Sequence, residues 1–141
     1  PSKNEKYITS NIEKSSFSNF RKMTTSDIKG KFAKTYMKIL VKNSKYALAL
    51  LYPITGRTHQ LRVHMNYIGC SIIGDKKYKL NENFRDNENF LKLHSYVIKF
   101  PNQDFIKAPL PEHFINFMKE NKLDIDLNKI KKDFEKEFKY E

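Results

Sequence analysis

Polar and apolar positions along the chain change their period several times, and each change marks an element. From Lys31 to Lys42 they alternate, with Ala33, Thr35, Met37, Ile39 and Val41 on one side and Lys34, Tyr36 and Lys38 on the other. That period of two predicts a half-buried strand. After the polar turn Asn43-Ser44, Tyr46 to Pro53 is apolar at successive positions. This predicts a partner strand in a hairpin-like pairing, buried on both faces in the middle of a sheet. Pro53 and Gly56 end it, one lacking an N–H and the other able to take a positive φ. Apolar spacing then becomes helical at Leu61, His64, Met65 and Ile68, with Thr58 placed as cap and Gly69 just past the end. On that helix His59, Arg62 and Asn66 share a different, polar side, so Arg57 and Arg62 are expected to project toward one cleft.

The flanking segments carry weaker patterns. Residues 1–29 are rich in Ser, Asn, Lys and Thr, with Ile8, Ile12, Phe17 and Phe20 too scattered to set a period, and read as a flexible lead-in with room for one edge strand. Ser71-Ile72-Ile73 reads as a short strand, Gly74-Asp75 as a turn, and Leu80 to Phe90 as an Asn-rich inserted loop. Lys92 to Phe100 returns as a strand, turned at Pro101-Asn102 into Gln103 to Lys107; His94 on it reads as a packed, hydrogen-bonded histidine. Pro111 opens a helix to about Lys122 with Phe114, Phe117 and Met118 inward, and a second begins near Leu127 with Ile130, Phe134 and Phe138 on its stripe. The sum is an α+β chain with a mixed, mainly antiparallel sheet and flanking helices. It divides into the lead-in, a central unit over 30–122 and a helical extension over 123–141.

Composition narrows the partners. An apolar content of 39% against 30% charged residues suits one domain with a modest core. The 27 Lys and Arg exceed the 16 acids, giving a formal charge of +11, yet after Leu110 there are 7 Lys against 8 acids. The excess therefore belongs to the segment before Pro111 and points to a polyanion. Cys70 is the single cysteine, which excludes an intrachain disulfide and a cysteine zinc cluster and makes a reducing compartment the default. His59 and His64 stand about 140° apart on a helix and do not share a face as metal ligands would, so no metal is expected. No run of 18 apolar residues occurs, and no membrane span is expected.

The densest chemistry lies in Ile54-Thr55-Gly56-Arg57-Thr58-His59-Gln60-Leu61-Arg62-Val63-His64-Met65. Two guanidiniums offer planar forked donors for a phosphate or a carboxylate. Taken alone, the same residues suit a solvated or salt-bridged surface equally well. The stretch is followed by Gly69-Cys70-Ser71-Ile72-Ile73-Gly74-Asp75-Lys76-Lys77-Tyr78, then Leu93-His94-Ser95, Phe100-Pro101 and Ala108-Pro109-Leu110-Pro111. In that order, over about Ala33 to Glu120, the chain resembles the RluA-type RNA pseudouridine synthases.

The resemblance implies the C-terminal half of a pseudouridine synthase fold. It implies isomerisation of uridine to pseudouridine in ribosomal RNA or tRNA with no cofactor: the N1 glycosidic bond breaks, the uracil turns, and a C5–C1′ bond forms. Arg62 would pair with the family's catalytic aspartate, which stays ionised beside a flipped base only if a cation holds it. Arg57, Thr58, His59, Gln60 and Leu61 would contact RNA or substrate, with Leu61 lining the apolar side of the uracil pocket. The family's upstream H-R-L-D-x-x-[TS]-S-G block, which bears that aspartate, is not in this sequence. Tyr36 resembles the family's base-stacking tyrosine but lies at the spacing of a different strand, and is read as a strand residue. The chain, which begins at Pro1, is accordingly expected to be the C-terminal part of a longer enzyme, inactive alone. The alternatives are a non-catalytic basic RNA-binding module of the same fold and a basic structural protein of a ribosomal assembly.

Overall fold

The hairpin at the centre of the fold is set by Asn43, whose side-chain Oδ1 accepts the N–H groups of Lys45 and Tyr46, both at 2.9 Å. This Asx turn reverses the chain between β3 (Lys31–Lys42) and β4 (Ala47–Pro53), which pair antiparallel with a bulge between Ile39 and Val41. The computed structural model describes residues 3–15, 23–26, 29–79, 88–123, 125–126 and 128–130. Ahead of the hairpin come β1 (Glu5–Lys14) and β2 (Met23–Ser26), and the four strands form one antiparallel sheet in the order β2-β1-β3-β4. Helix α1 (Gln60–Tyr67) packs on one face of that sheet. A small hairpin, β5 (Val97–Ile98) and β6 (Ile106–Lys107), and helix α2 (Glu112–Glu120) follow. The α+β architecture is the expected one.

The N-terminal segment departs from expectation. Residues 5–14 are not a flexible lead-in but an internal strand, lying between β2 and β3 with Ile8 and Ile12 buried. The inward face of β1 reads Ile8, Ser10, Ile12. The serine that breaks its apolar period is there because it hydrogen-bonds a buried histidine of α1. Phe17 and Phe20 lie outside the described residues.

Among the described residues β4 is an edge strand rather than a central one. Its two-sided apolar pattern has another cause. Ala49 and Leu51 pack with Met65 of α1 and with Ile68 at its C-cap, whereas Tyr46 and Leu48, which alternate with them, join Phe117 and Met118 of α2. Fully burying a side chain as large as Leu51 stabilises a fold by about 1.5–3 kcal/mol, and the half-buried side chains of β4 contribute less.

Of two further expected strands, one is absent among the described residues and the other is shortened. Ser71–Ile73 runs into a turn, and of Lys92–Phe100 only Val97 and Ile98 are paired, with Ile106 and Lys107. The Pro101-Asn102 reversal is as expected, Asn102 taking φ 60°. Helix α2 has Pro111 as its N-cap and buries Phe117 and Met118. Residues 128–130 are helical and bury Ile130, while Phe134, Phe138 and most of the Asn-rich loop lie outside the described residues.

Helix α1 ends as its glycine foretells. Gly69, at φ 86°, donates its N–H to Asn66 O at 3.1 Å, and Cys70 donates to Met65 O at 2.9 Å, the two bonds of a Schellman cap. A Cβ at Gly69 would meet nothing within 4 Å, so Gly69→Ala is expected to cost only the backbone strain, about 1–2 kcal/mol. At Gly74, φ 81°, the same Cβ would lie 2.2 Å from Phe90 O, and Gly74→Ala is expected to cost about 3 kcal/mol by adding overpacking to strain. Urea unfolding of both variants in the full-length protein checks this, and equal midpoints would refute it.

Candidate functional site

The turn that leads into α1 is held from below by one amide. Gln60 Oε1 accepts Thr55 Oγ1–H at 2.6 Å and the Arg57 N–H at 3.0 Å, while Gln60 Nε2 donates to Lys34 O and Thr35 Oγ1, each at 2.9 Å. All four hydrogen-bonding positions of the amide are thus taken inside the chain, and the residue is 3% exposed. The structure corrects the expected substrate contact here: Gln60 braces the loop and carries no group outward. Thr55 adds a second tie, accepting the Lys34 N–H at 2.9 Å.

Thr58 does not cap the helix. The N-cap is His59, in the left-handed region at φ 53°, and no side chain caps α1. A non-glycine residue at positive φ is held there by its surroundings. His59 Nδ1 lies 2.8 Å from Tyr78 Oη, whose oxygen also accepts the Met23 N–H at 2.9 Å. Burial, with the nearby cations Arg62 and Lys77, pushes the His59 pKa below its usual value despite the opposing pull of Asp75. The ring is therefore neutral at pH 7. Thr58 is exposed, and Arg57 is half-buried with its Nε–H on Phe32 O at 2.9 Å.

The buried face of α1 is also turned from the expected one. Gln60, Val63, His64 and Met65 are buried, whereas Leu61 is half-buried. His64 is fully buried, its Nδ1 2.8 Å from Thr35 Oγ1 and its Nε2 2.9 Å from Ser10 Oγ. With Gln60 donating to Thr35, a proton order that partners every atom runs from Gln60 N–H to Thr35 Oγ1, from the Thr35 hydroxyl to His64 Nδ1, and from His64 Nε2–H to Ser10. Burial holds His64 below its usual pKa and keeps it uncharged.

Arg62 has a carboxylate partner within the chain. Its Nε–H reaches Asp75 Oδ2 at 2.9 Å and its Nη2–H reaches Asp75 Oδ1 at 2.8 Å, a forked pair, with the guanidinium carbon 5.0 Å from the Tyr78 ring centroid. The Asp75 side chain has no exposed surface, whereas that of Arg62 keeps 22%. Asp75 Oδ1 also accepts the N–H groups of Lys77 at 3.0 Å and Tyr78 at 2.9 Å. Burial would raise the Asp75 pKa, but the Arg62 fork and those two N–H groups outweigh it and hold it below the usual value. Arg62 is thus already paired with a carboxylate of this chain, one other than the catalytic aspartate it is expected to meet. The pair uses two of the five guanidinium N–H groups, leaving three outside it. Among the described residues no cluster of three or more His, Cys, Asp or Glu is placed to hold a metal.

Sequence reasoning gave no role to Asp75, Tyr78, Ser10 or Thr35. One signal was legible: a carboxylate just after Gly74 and close before a tyrosine has to be paired if buried, and Arg62 precedes it by 13 positions. His94 is as expected, half-buried with Nε2 3.0 Å from Ala108 O.

Residues 1–67 match the RNA pseudouridylate synthase family. The ribosomal large subunit pseudouridine synthase C of Buchnera aphidicola is 39% identical over 123 residues, covering 80% of this chain and 39% of that protein. The ribosomal large subunit pseudouridine synthase D of Borreliella burgdorferi is 34% identical over 121 residues, covering 79% of this chain and 36% of that protein. Human RNA pseudouridylate synthase domain containing 1 superposes with a TM-score of 0.65 at 25% identity, covering 79% of this chain and 50% of the human one. The chain thus spans about two fifths of the length of the curated relatives it matches.

Proposed function

We propose that this chain, which belongs to the RluA-type RNA pseudouridine synthases, forms one wall of the active site of an enzyme that isomerises uridine to pseudouridine in RNA. The nucleophilic aspartate comes from the remainder of the full-length protein. The observation that carries this reading is Arg62: pinned through one edge of its guanidinium, with three N–H groups outside that pair and 22% of its side chain exposed, it can accept a second carboxylate. That carboxylate, shut in with a flipped base, stays ionised beside such a cation. Leu61, next to Arg62 and half-buried, supplies an apolar surface for the uracil. Arg57, Thr58 and His59 line the turn on the RNA side, and Gln60 serves them by fixing its shape. Basic residues before Pro111 attract the backbone.

Ribosomal RNA is the favoured substrate, since the relatives above are named for the large ribosomal subunit, and tRNA is the competing one. The test is tritium release from RNA carrying 5-³H-uridine, with the full-length protein and with both RNAs. Turnover on ribosomal RNA is expected. No release from either RNA overturns the enzyme assignment, and release from tRNA alone overturns the choice of substrate. One observation favours a second reading, a non-catalytic RNA-binding module: Asp75 already neutralises Arg62. An H-R-x-D block in the full-length protein and turnover on RNA count against it.

A further inference from the structure

We propose that Asp75 is a positioning residue that aims Arg62 at the reacting carboxylate. The inference rests on the function proposed above and assigns a role to a residue with no surface of its own. Arginine on a helix ordinarily samples many rotamers, and a donor that must meet a carboxylate beside a flipped base gains most from being held in advance. Here the fixing is threefold. Asp75 takes Nε–H and Nη2–H at 2.9 and 2.8 Å, Tyr78 lies under the guanidinium at 5.0 Å, and α1 carries the side chain. Each support is itself fixed. Asp75 accepts two backbone N–H groups of its own turn, and that turn follows Gly74, which packs too closely on Phe90 O to admit any side chain. Tyr78 is tied through its hydroxyl to Met23 N and His59 Nδ1.

The edge that Asp75 occupies decides which edge remains. With Nε and inner Nη2 engaged, the outer Nη2–H and the Nη1–H lie side by side, spaced to meet a second two-oxygen anion end-on. Arg62 is thereby built to bridge two carboxylates, one inside the wall and one across the site. Lysine in its place would supply charge without that direction.

The experiment uses the full-length protein and the tritium-release assay. Asp75→Asn keeps the volume and an oxygen for the backbone N–H groups but sets an amide against Arg62, undoing the fork. Expected is a fall in kcat of roughly 30-fold or more with KM for RNA within about twofold, and partial recovery in Asp75→Glu. Adding Arg62→Lys to Asp75→Asn is expected to lower kcat by less than about threefold more, because the alignment is already lost. A kcat for Asp75→Asn within about threefold of wild type, or losses that multiply in the double variant, overturns the proposal. Nitrogen NMR of the Arg62 side chain in the unmodified protein reads positioning independently of turnover and of whether the variant folds. Separate Nη signals, from slowed rotation, are expected, and averaged signals overturn the proposal. If the wild-type enzyme turns over no RNA while the Nη signals are separate, it is the functional reading that fails.

Discussion

Arg62→Ala in the full-length protein is expected to lower kcat for uridine isomerisation by about 10³-fold while changing RNA affinity at fixed salt by no more than about twofold. The split follows from where the side chain sits. Its side chain keeps only 22% of its surface exposed, and it is a single cation among 27 Lys and Arg residues, so the backbone attraction hardly notices its loss. The same change leaves Asp75 buried without its counter-ion. Removing one partner of a buried pair costs about 3–5 kcal/mol, so the assay must be run well below the melting temperature of the variant. Arg62→Lys separates the two effects: it keeps a charge for Asp75 and loses the fork, and is expected to remain folded while kcat falls by about 10²-fold. Activity of folded Arg62→Ala within about tenfold of wild type would rule out the assigned role.

His64→Ala is expected to lower the melting temperature by roughly 10 °C, from a loss of about 3 kcal/mol. Alanine opens a cavity under α1 and deprives the half-buried Ser10 Oγ and the fully buried Thr35 Oγ1 of a partner at once. The histidine also gives stability a direction in pH. Its folded pKa is depressed, so below about pH 6.5 the unfolded chain takes up a proton that the folded chain refuses, and stability falls as the pH drops through that value. His59 adds to the same fall, its pKa being depressed as well. At lower pH a second loss sets in as Asp75, also depressed, is protonated. Thermal melts between pH 8 and about pH 5 check the first step. His64→Gln is expected to flatten it, and an unchanged slope in that variant would assign the effect elsewhere.

The elements that alternate cleanly were legible: β3, the reversal at Asn43, the glycine that closes α1, and the helix after Pro111. What escaped has one cause, polar residues in the core. Ser10 interrupts the period of β1 because it meets His64, and Thr35 and Gln60 sit among apolar neighbours for the same network. A pattern search expects apolar side chains inside, and such a network hides a strand from it. The site shows the same limit. Arg62 was picked out by its motif, but its partner Asp75 was not, since pairing across 13 positions is decided by the turn at Gly74 and not by local spacing. Thr58, a good cap by composition, yields to His59 because Gln60 and Thr55 already fix the turn.

Ser10 and His64 are 54 positions apart and Met23 and Tyr78 are 55, so these contacts of the core close long loops. Each costs loop entropy that the short β3–β4 hairpin does not. Assembly is thus ordered in time: the hairpin and α1 can form early, whereas β1 gains its polar anchor only once α1 is in place.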